Sequence, residues 1–147
     1  MAERNAERRN HAWFALVDAQ HCRLLCCRLT QQGTPHVVEY GTLENTLPEK
    51  EHARPTSQAG ETHTTQENER RFSVAISDWL QAKSGQHELD RLAIFAAPRM
   101  LGVLRNTPFG AIKGRQDEIK GDLIRLSTGQ LAEHPLVREL VRDRQLG

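Results

Sequence analysis

The feature that most constrains this chain is a run of apolar residues too short to be a buried helix. Leu92-Ala93-Ile94-Phe95-Ala96-Ala97 is apolar at every position. A strand apolar on both alternating faces has to be covered on both sides, the condition of an interior strand in a parallel sheet. Parallel neighbours need helical crossovers, so amphipathic helices are required elsewhere in the chain. At 147 residues the chain is long enough for one domain and too short for two, and a domain of that size buries roughly 70% of its unfolded surface.

The remaining segments fit that requirement. His11 to Ala19 carries a second apolar run, and Cys22 to Leu29 a third, edged by Arg23 and Arg28. Asp18 to His21 supplies a polar turn between them. Gln31-Gln32-Gly33-Thr34-Pro35 is a further turn, before a third strand around His36 to Leu43. Closely spaced strands joined by short turns predict an antiparallel meander.

Residues 44–63 show no period and contain Pro48, Pro55 and Gly60, so they read as a long loop, disordered in the free protein. Thr64 and Glu67 then form a capping-box pattern at a helix start. Phe72, Ala75, Ile76, Trp79 and Leu80 follow at helical spacing, with Gly85 past the end. Trp79 reads as a core anchor.

Pro98 suits the first turn of a second helix, which carries Leu101 and Leu104 and is ended by Thr107-Pro108-Phe109-Gly110. Asp117 to Leu126 is expected to be a strand. Ser127 and Gln130 form another capping box, opening a short helix to Glu133. After Pro135, the residues Leu136, Val137, Leu140 and Val141 mark a final helix. The predicted fold is α/β with the element order βββαβαβα: a five-stranded mixed sheet flanked by helices in three layers, as in ribonuclease H-like folds. Residues 1–10 are expected to be a flexible N-terminal segment, and 11–147 a single domain.

That order raises nuclease chemistry, which needs several carboxylates around paired cations. Asp18 is placed for one, and Glu67 or Glu69 for another; Asp122 is a further weak candidate. The fourth strand ends in Phe95-Ala96-Ala97-Pro98, without an acid. No Gly-x-Ser-x-Gly elbow and no phosphate-cradling glycine loop occurs in the sequence. The seven histidines (11, 21, 36, 52, 63, 87 and 134) lack metal-ligand spacing. No catalytic residue, metal or cofactor is therefore assigned.

Cys22, Cys26 and Cys27 are an odd set in one segment. They read as core residues of a reduced, cytoplasmic protein rather than as a disulfide framework. No apolar run reaches the roughly 18–20 residues of a membrane span.

Net charge is only +1, yet it is unevenly spread. Between 39 and 69, seven glutamates face only Lys50 and Arg54. Between 98 and 125, Arg99, Arg105, Lys113, Arg115, Lys120 and Arg125 outnumber Asp117, Glu118 and Asp122. Arg99, in Ala97-Pro98-Arg99-Met100-Leu101-Gly102, stands where a strand passes into a helix, a place suited to an anion. These six basic residues are the anion- or RNA-binding candidates.

Several of these segments resemble a known family. Phe14-Ala15-Leu16-Val17-Asp18-Ala19 resembles the opening of bacterial host attachment proteins. Asp90-Arg91-Leu92, Ala97 to Arg105, and Lys120-Gly121-Asp122-Leu123 with Leu126 are similar to that family's second half. The likeness spans nearly the whole chain, and Ala-Pro-Arg is its most specific piece. The family in turn resembles the middle domain of archaeal and eukaryotic class-one peptide release factors, which implies a ribonuclease H-like fold.

In those factors the loop before the first helix carries Gly-Gly-Gln, which acts on peptidyl-tRNA. Here the corresponding loop reads Arg54-Pro-Thr-Ser-Gln58-Ala-Gly60-Glu61-Thr-His63. Gln58, Gly60 and His63 are its candidates, but hydrolysis is carried over to no residue. The acidic surroundings of the loop also oppose insertion into ribosomal RNA. The expectation is a non-enzymatic binding protein, translation- or RNA-associated, whose partner is the ribosome, RNA or another protein. Its oligomeric state is left open, a homodimer included. The alternative is a metal-dependent hydrolase or nuclease acting on RNA or an ester.

Overall fold

A computed structural model describes residues 11–46, 58–87, 89, 91–106 and 115–146. Among the described residues there are five strands: β1 (His11–Val17), β2 (His21–Leu29), β3 (Pro35–Glu44), β4 (Arg91–Ala96) and β5 (Arg115–Lys120). The helices are α1 (Gln58–Gln86), α2 (Pro98–Arg105), α3 (Thr128–Glu133) and α4 (Pro135–Leu146). The strands form one mixed sheet in the order β3-β2-β1-β4-β5. The meander β1–β2–β3 is antiparallel, and β4 joins it by pairing parallel to β1, with Val17 beside Ala96. β5 extends the sheet parallel to β4.

Burial on both faces makes β1, β2 and β4 the centre. Ala15, Val17, Cys22, Leu24, Leu92 and Ile94 point to one face, where Phe72, Ile76 and Leu80 of α1 and Met100, Leu101 and Leu104 of α2 cover them. Phe14, Leu16, Leu25, Cys27, Ala93 and Phe95 point to the other, under Leu131 of α3 and Val137, Leu140 and Val141 of α4. Phe14 and Phe95 meet edge to face, ring centroids 5.9 Å apart. The cysteines divide as strand alternation predicts, and all three are free and buried. None of the described helices is long and apolar enough to cross a membrane.

Three features differ from the sequence reading, and the first helix also runs through Gly85 to Gln86. The first helix begins at Gln58, not at Thr64, so Gln58, Gly60 and His63 belong to α1 rather than to a loop. Extending an established helix costs less than starting one, and a single glycine costs it only about 1 kcal/mol. The expected loop therefore shrinks; positions 47–57 lie outside the described residues, as do 1–10 and the expected Thr107–Gly110 stop. The inward face of α1 also differs. Ser73 and Ser77 are buried while Ala75 is exposed, because the hydroxyls find partners inside the helix. Ser73 donates to the Arg70 carbonyl at 2.7 Å, and Ser77 accepts from Gln81 at 3.0 Å.

The last strand is the third difference, ending at Lys120 instead of Leu126. Leu123 and Ile124 are buried as expected, but in irregular chain. Arg23 holds that chain: its Nη1 donates to the carbonyls of Ile124 and Leu126, each at 2.8 Å. Its Nε pairs with Glu39 at 2.6 Å. Once a side chain from β2 satisfies these carbonyls, no sixth strand is needed to do so. The Ser127 capping box forms as predicted, with Gln130 N donating to Ser127 Oγ and Ser127 N to Gln130 Oε1.

β3 contains an irregularity that the sequence did not reveal. Leu24 pairs with Gly41 and Leu25 with Glu39, leaving Tyr40 as the extra residue of a β-bulge. Gly41 sits at φ +149°, and a Cβ there would lie 3.1 Å from Cζ2 of Trp79. Both the backbone and the contact demand glycine. Gly41→Ala is expected to destabilise the fold by about 1–3 kcal/mol. A lowered urea midpoint at unchanged slope is the measurement that checks it.

Candidate functional site

β1, β4 and β5 run parallel, so their carboxyl ends share one edge of the sheet. From β1 the chain turns toward β2, whereas from β4 it crosses toward β5, so the β1/β4 boundary is where the topology reverses. Open α/β sheets bind ligands outside the strand ends at such a point. Asp18 follows β1, Ala97-Pro98-Arg99 follows β4, and Gly121-Asp122 follows β5. Asn45, just past β3, joins this rim by donating to the Ala19 carbonyl at 3.1 Å and to Asn68 Oδ1 of α1 at 2.9 Å.

Asp18 builds the turn after β1. Its Oδ1 accepts from the backbone N–H of Gln20 at 2.8 Å and of His21 at 2.6 Å, and His21 Nδ1 lies 3.6 Å away. Glu67 bonds within its own helix, to Arg70 Nη2 at 2.7 Å and Arg71 Nε at 3.3 Å. The Arg70 hydrogen bond holds its carboxyl below the usual range. Asp122 is exposed beyond β5. Among the described residues, no three metal-ligating side chains come together. The weak carboxylate candidates are thus placed, but each is engaged or apart.

The carboxylate that does reach the rim is Glu69. Its side chain is only 9% exposed, and its Oε1 lies 2.7 Å from Arg99 Nη2, while the Arg99 side chain is 64% exposed. α2 begins with Ala97 as N-cap and Pro98 in its first turn, with no side-chain cap and no acid in that turn. A helix N-terminus carries partial positive charge, so Arg99 there adds like charge to it. Glu69 offsets both from beneath and aims the guanidinium. The sequence reading named Glu69 only as an alternative to Glu67 for a metal; its three-residue offset from Phe72 puts it on the inward stripe, and its partner is Arg99 instead.

The other basic candidates divide. Arg105 pairs with Glu118 of β5 at 2.5 Å. Lys120, at the end of β5, and Arg125 are exposed, and neither makes an ion pair among the described residues. Arg115 starts β5, with its backbone in register with Arg91. Lys113 lies outside the described residues. The rim therefore brings Arg99 and Lys120 to neighbouring strand ends, and among the described residues the basic candidates do not form one continuous strip. The thiols stand apart from it. Burial pushes all three up; Asp18 adds to the effect on Cys22, and Cys27 reaches about 11.

Residues 13–134 match the model of a family described as protein required for attachment to host cells. The chain belongs to that family. The matched span runs from Trp13 inside β1 through β2 to β5 and the Arg99 rim, and it ends at the cap of α3, leaving α4 outside. No curated protein matches the chain.

The thiols give a pH expectation. Between pH 9.0, the ordinary thiol value, and about 11, the unfolded chain releases a proton that Cys27 retains in the fold. Stability therefore falls as pH rises through that window and is unaffected by this thiol below it. Urea midpoints from pH 8 upward should decline less steeply in Cys27→Ala than in the parent chain, and native thiols should resist alkylation until the chain unfolds.

Proposed function

We propose that this member of the host attachment family is a non-enzymatic, RNA-associated binding protein that receives phosphate at the Arg99 rim. The observation carrying the reading is the Arg99–Glu69 pair. A buried carboxylate grips one guanidinium nitrogen and leaves most of the side chain in solvent at a helix N-terminus. Lys120 at the end of β5 and Arg125 beyond it add positive charge that makes no ion pair among the described residues. Exposed cations next to helix N–H groups suit phosphate oxygens.

We further assign the fold to the ribonuclease H-like class and relate it to the middle domain of class-one release factors. The strand order with an antiparallel second strand and the helix following β3 support this assignment. Without Gly-Gly-Gln the reading stops at association with RNA or the ribosome. Reduced, buried thiols suit a cytoplasmic protein.

The test is binding of single-stranded RNA across a salt series. Each lost phosphate contact lowers the slope of log K against log salt by about 0.7 for a single strand. Arg99→Ala with Lys120→Ala is expected to weaken binding and lower that slope by about 1.4. Lys120→Ala alone, at an exposed position, is expected to give half the effect. Affinity and slope that stay at parental values in both variants would remove the rim from the reading.

A further inference from the structure

The chain has only two tryptophans and one tyrosine, and the fold gathers all three in one half-buried patch away from the rim. Trp13 and Tyr40 have ring centroids 4.8 Å apart at 52°. His87, just past α1, lies 5.4 Å from Trp13 and 4.9 Å from Tyr40. Trp79 adjoins at Gly41. The core aromatics Phe14, Phe72 and Phe95 are fully covered, whereas Trp13, Tyr40, Trp79 and His87 are each partly open to solvent. The bulge is what turns Tyr40 into this patch.

Two cations border it, and both spend donors on Tyr40 rather than on an acid. Arg28 Nη2 donates to Tyr40 Oη at 2.6 Å, its guanidinium 6.0 Å from the ring centroid. Lys83 Nζ donates to the Tyr40 carbonyl at 3.1 Å and stands 5.5 Å from the Trp79 centroid. Elsewhere Arg23, Arg70, Arg71, Arg91, Arg99 and Arg105 each face a carboxylate. Among the described residues, Arg28 and Lys83 have none, as is also the case for Lys120 and Arg125 at the rim. The acids next to His87 in sequence, Glu88 and Asp90, lie outside the described residues.

We propose that the Trp13–Tyr40–His87 patch, bordered by Arg28 and Lys83, binds single-stranded nucleic acid by stacking its unpaired bases. Stacked bases need aromatic faces, and the backbone between them needs cations without acidic partners. β3 is a sheet edge, so a strand can pass along the patch without meeting another element of the sheet. A duplex, with its bases already stacked on one another, offers no such faces. The patch uses neither Arg99 nor Lys120. It lies at the opposite end of β1 from Asp18, about 17 Å away at 3.3 Å per residue.

Because both tryptophans belong to the patch, intrinsic fluorescence reads it without a label. The full chain is titrated with a single-stranded oligoribonucleotide of about ten residues, a length within the site size of one binding fold. The deoxy counterpart and an RNA duplex of equal length are titrated alongside. Quenching by the single strands and not by the duplex is expected. Quenching by RNA alone assigns the ligand to RNA, and quenching by both assigns it to unpaired bases of either sugar.

Tyr40→Leu should weaken binding about tenfold. Arg28→Ala, at an exposed position where folding is not at stake, should lower both affinity and salt dependence. Arg99→Ala with Lys120→Ala should leave the quenching in place. The proposal is overturned if single strands do not quench, if the duplex quenches equally, or if Arg28→Ala binds as the parent does. It is also overturned if sedimentation shows a dimer that Arg28→Ala or Tyr40→Leu dissolves, since the patch then meets a second copy of the chain. RNA binding that depends on the rim, without quenching, would retain the function proposed above and remove only this patch. Quenching that ignores the rim variants, together with rim-independent RNA binding, would retain this patch and remove only the rim from the function proposed above.

Discussion

The parallel pairing of β1 with β4 is the constraint on which the rest of the structure depends. Both strands are apolar on successive positions, so neither can lie at an edge or face water on either side. Their pairing forces helices onto both faces and sends the chain outward in opposite directions from the sheet's centre. It also places Asp18 and Ala97-Pro98-Arg99 at adjacent strand ends. The rim is thus a consequence of burial: a polar residue can follow either strand only where the strand leaves the core.

Electrostatics at that rim follow from the same arrangement. α2 starts immediately beyond β4, and its first turn brings Arg99 close to its own positive pole. Such a placement is unfavourable unless a negative group lies near it. α1 crosses the same face of the sheet and supplies Glu69 from its inward stripe. A carboxylate there cannot be left without a cation, so the two residues hold each other, one covered and the other open to solvent. Where Asp18 and Glu67 would serve metal chemistry, one is committed to the turn after β1 and the other to arginines of its own helix.

Along the meander, a different device works at the far end of the sheet. An extra residue in β3 and a glycine with positive φ rotate Tyr40 onto the α1 side, and Lys83 takes up the displaced carbonyl. Bulges at sheet edges re-aim side chains in this way. Edge strands also invite unwanted pairing, which charges, proline and irregular backbone discourage. β3 has Pro35 and the bulge, and β5 is charged along most of its length.

Much of the architecture was legible from residue order. The buried runs at 12–17, 22–27 and 92–96, the capping box at Ser127 and the proline starts of α2 and α4 each rest on local rules that the tertiary fold did not override. The start of α1 was not legible, because residues 58–63 lack the apolar period that signals a helix and are helical as an extension of the part that packs. The end of β5 was hidden for another reason. Leu123, Ile124 and Leu126 announce burial, but burial in irregular chain looks the same in sequence as burial in a strand until Arg23 is seen to satisfy the carbonyls.

By itself, the sequence determined which segments had to be buried, hence the sheet, its helical cover and the position of Arg99 at a strand end. Only the tertiary structure decided which charges meet. Glu69 with Arg99, Arg23 with the chain after β5, and Arg28 and Lys83 with Tyr40 join residues that are 30 to about 100 positions apart or displaced by a bulge. Periodicity records only how a residue stands relative to its near neighbours along the chain. Which distant side chain faces it is set by the register and layering of the packed elements.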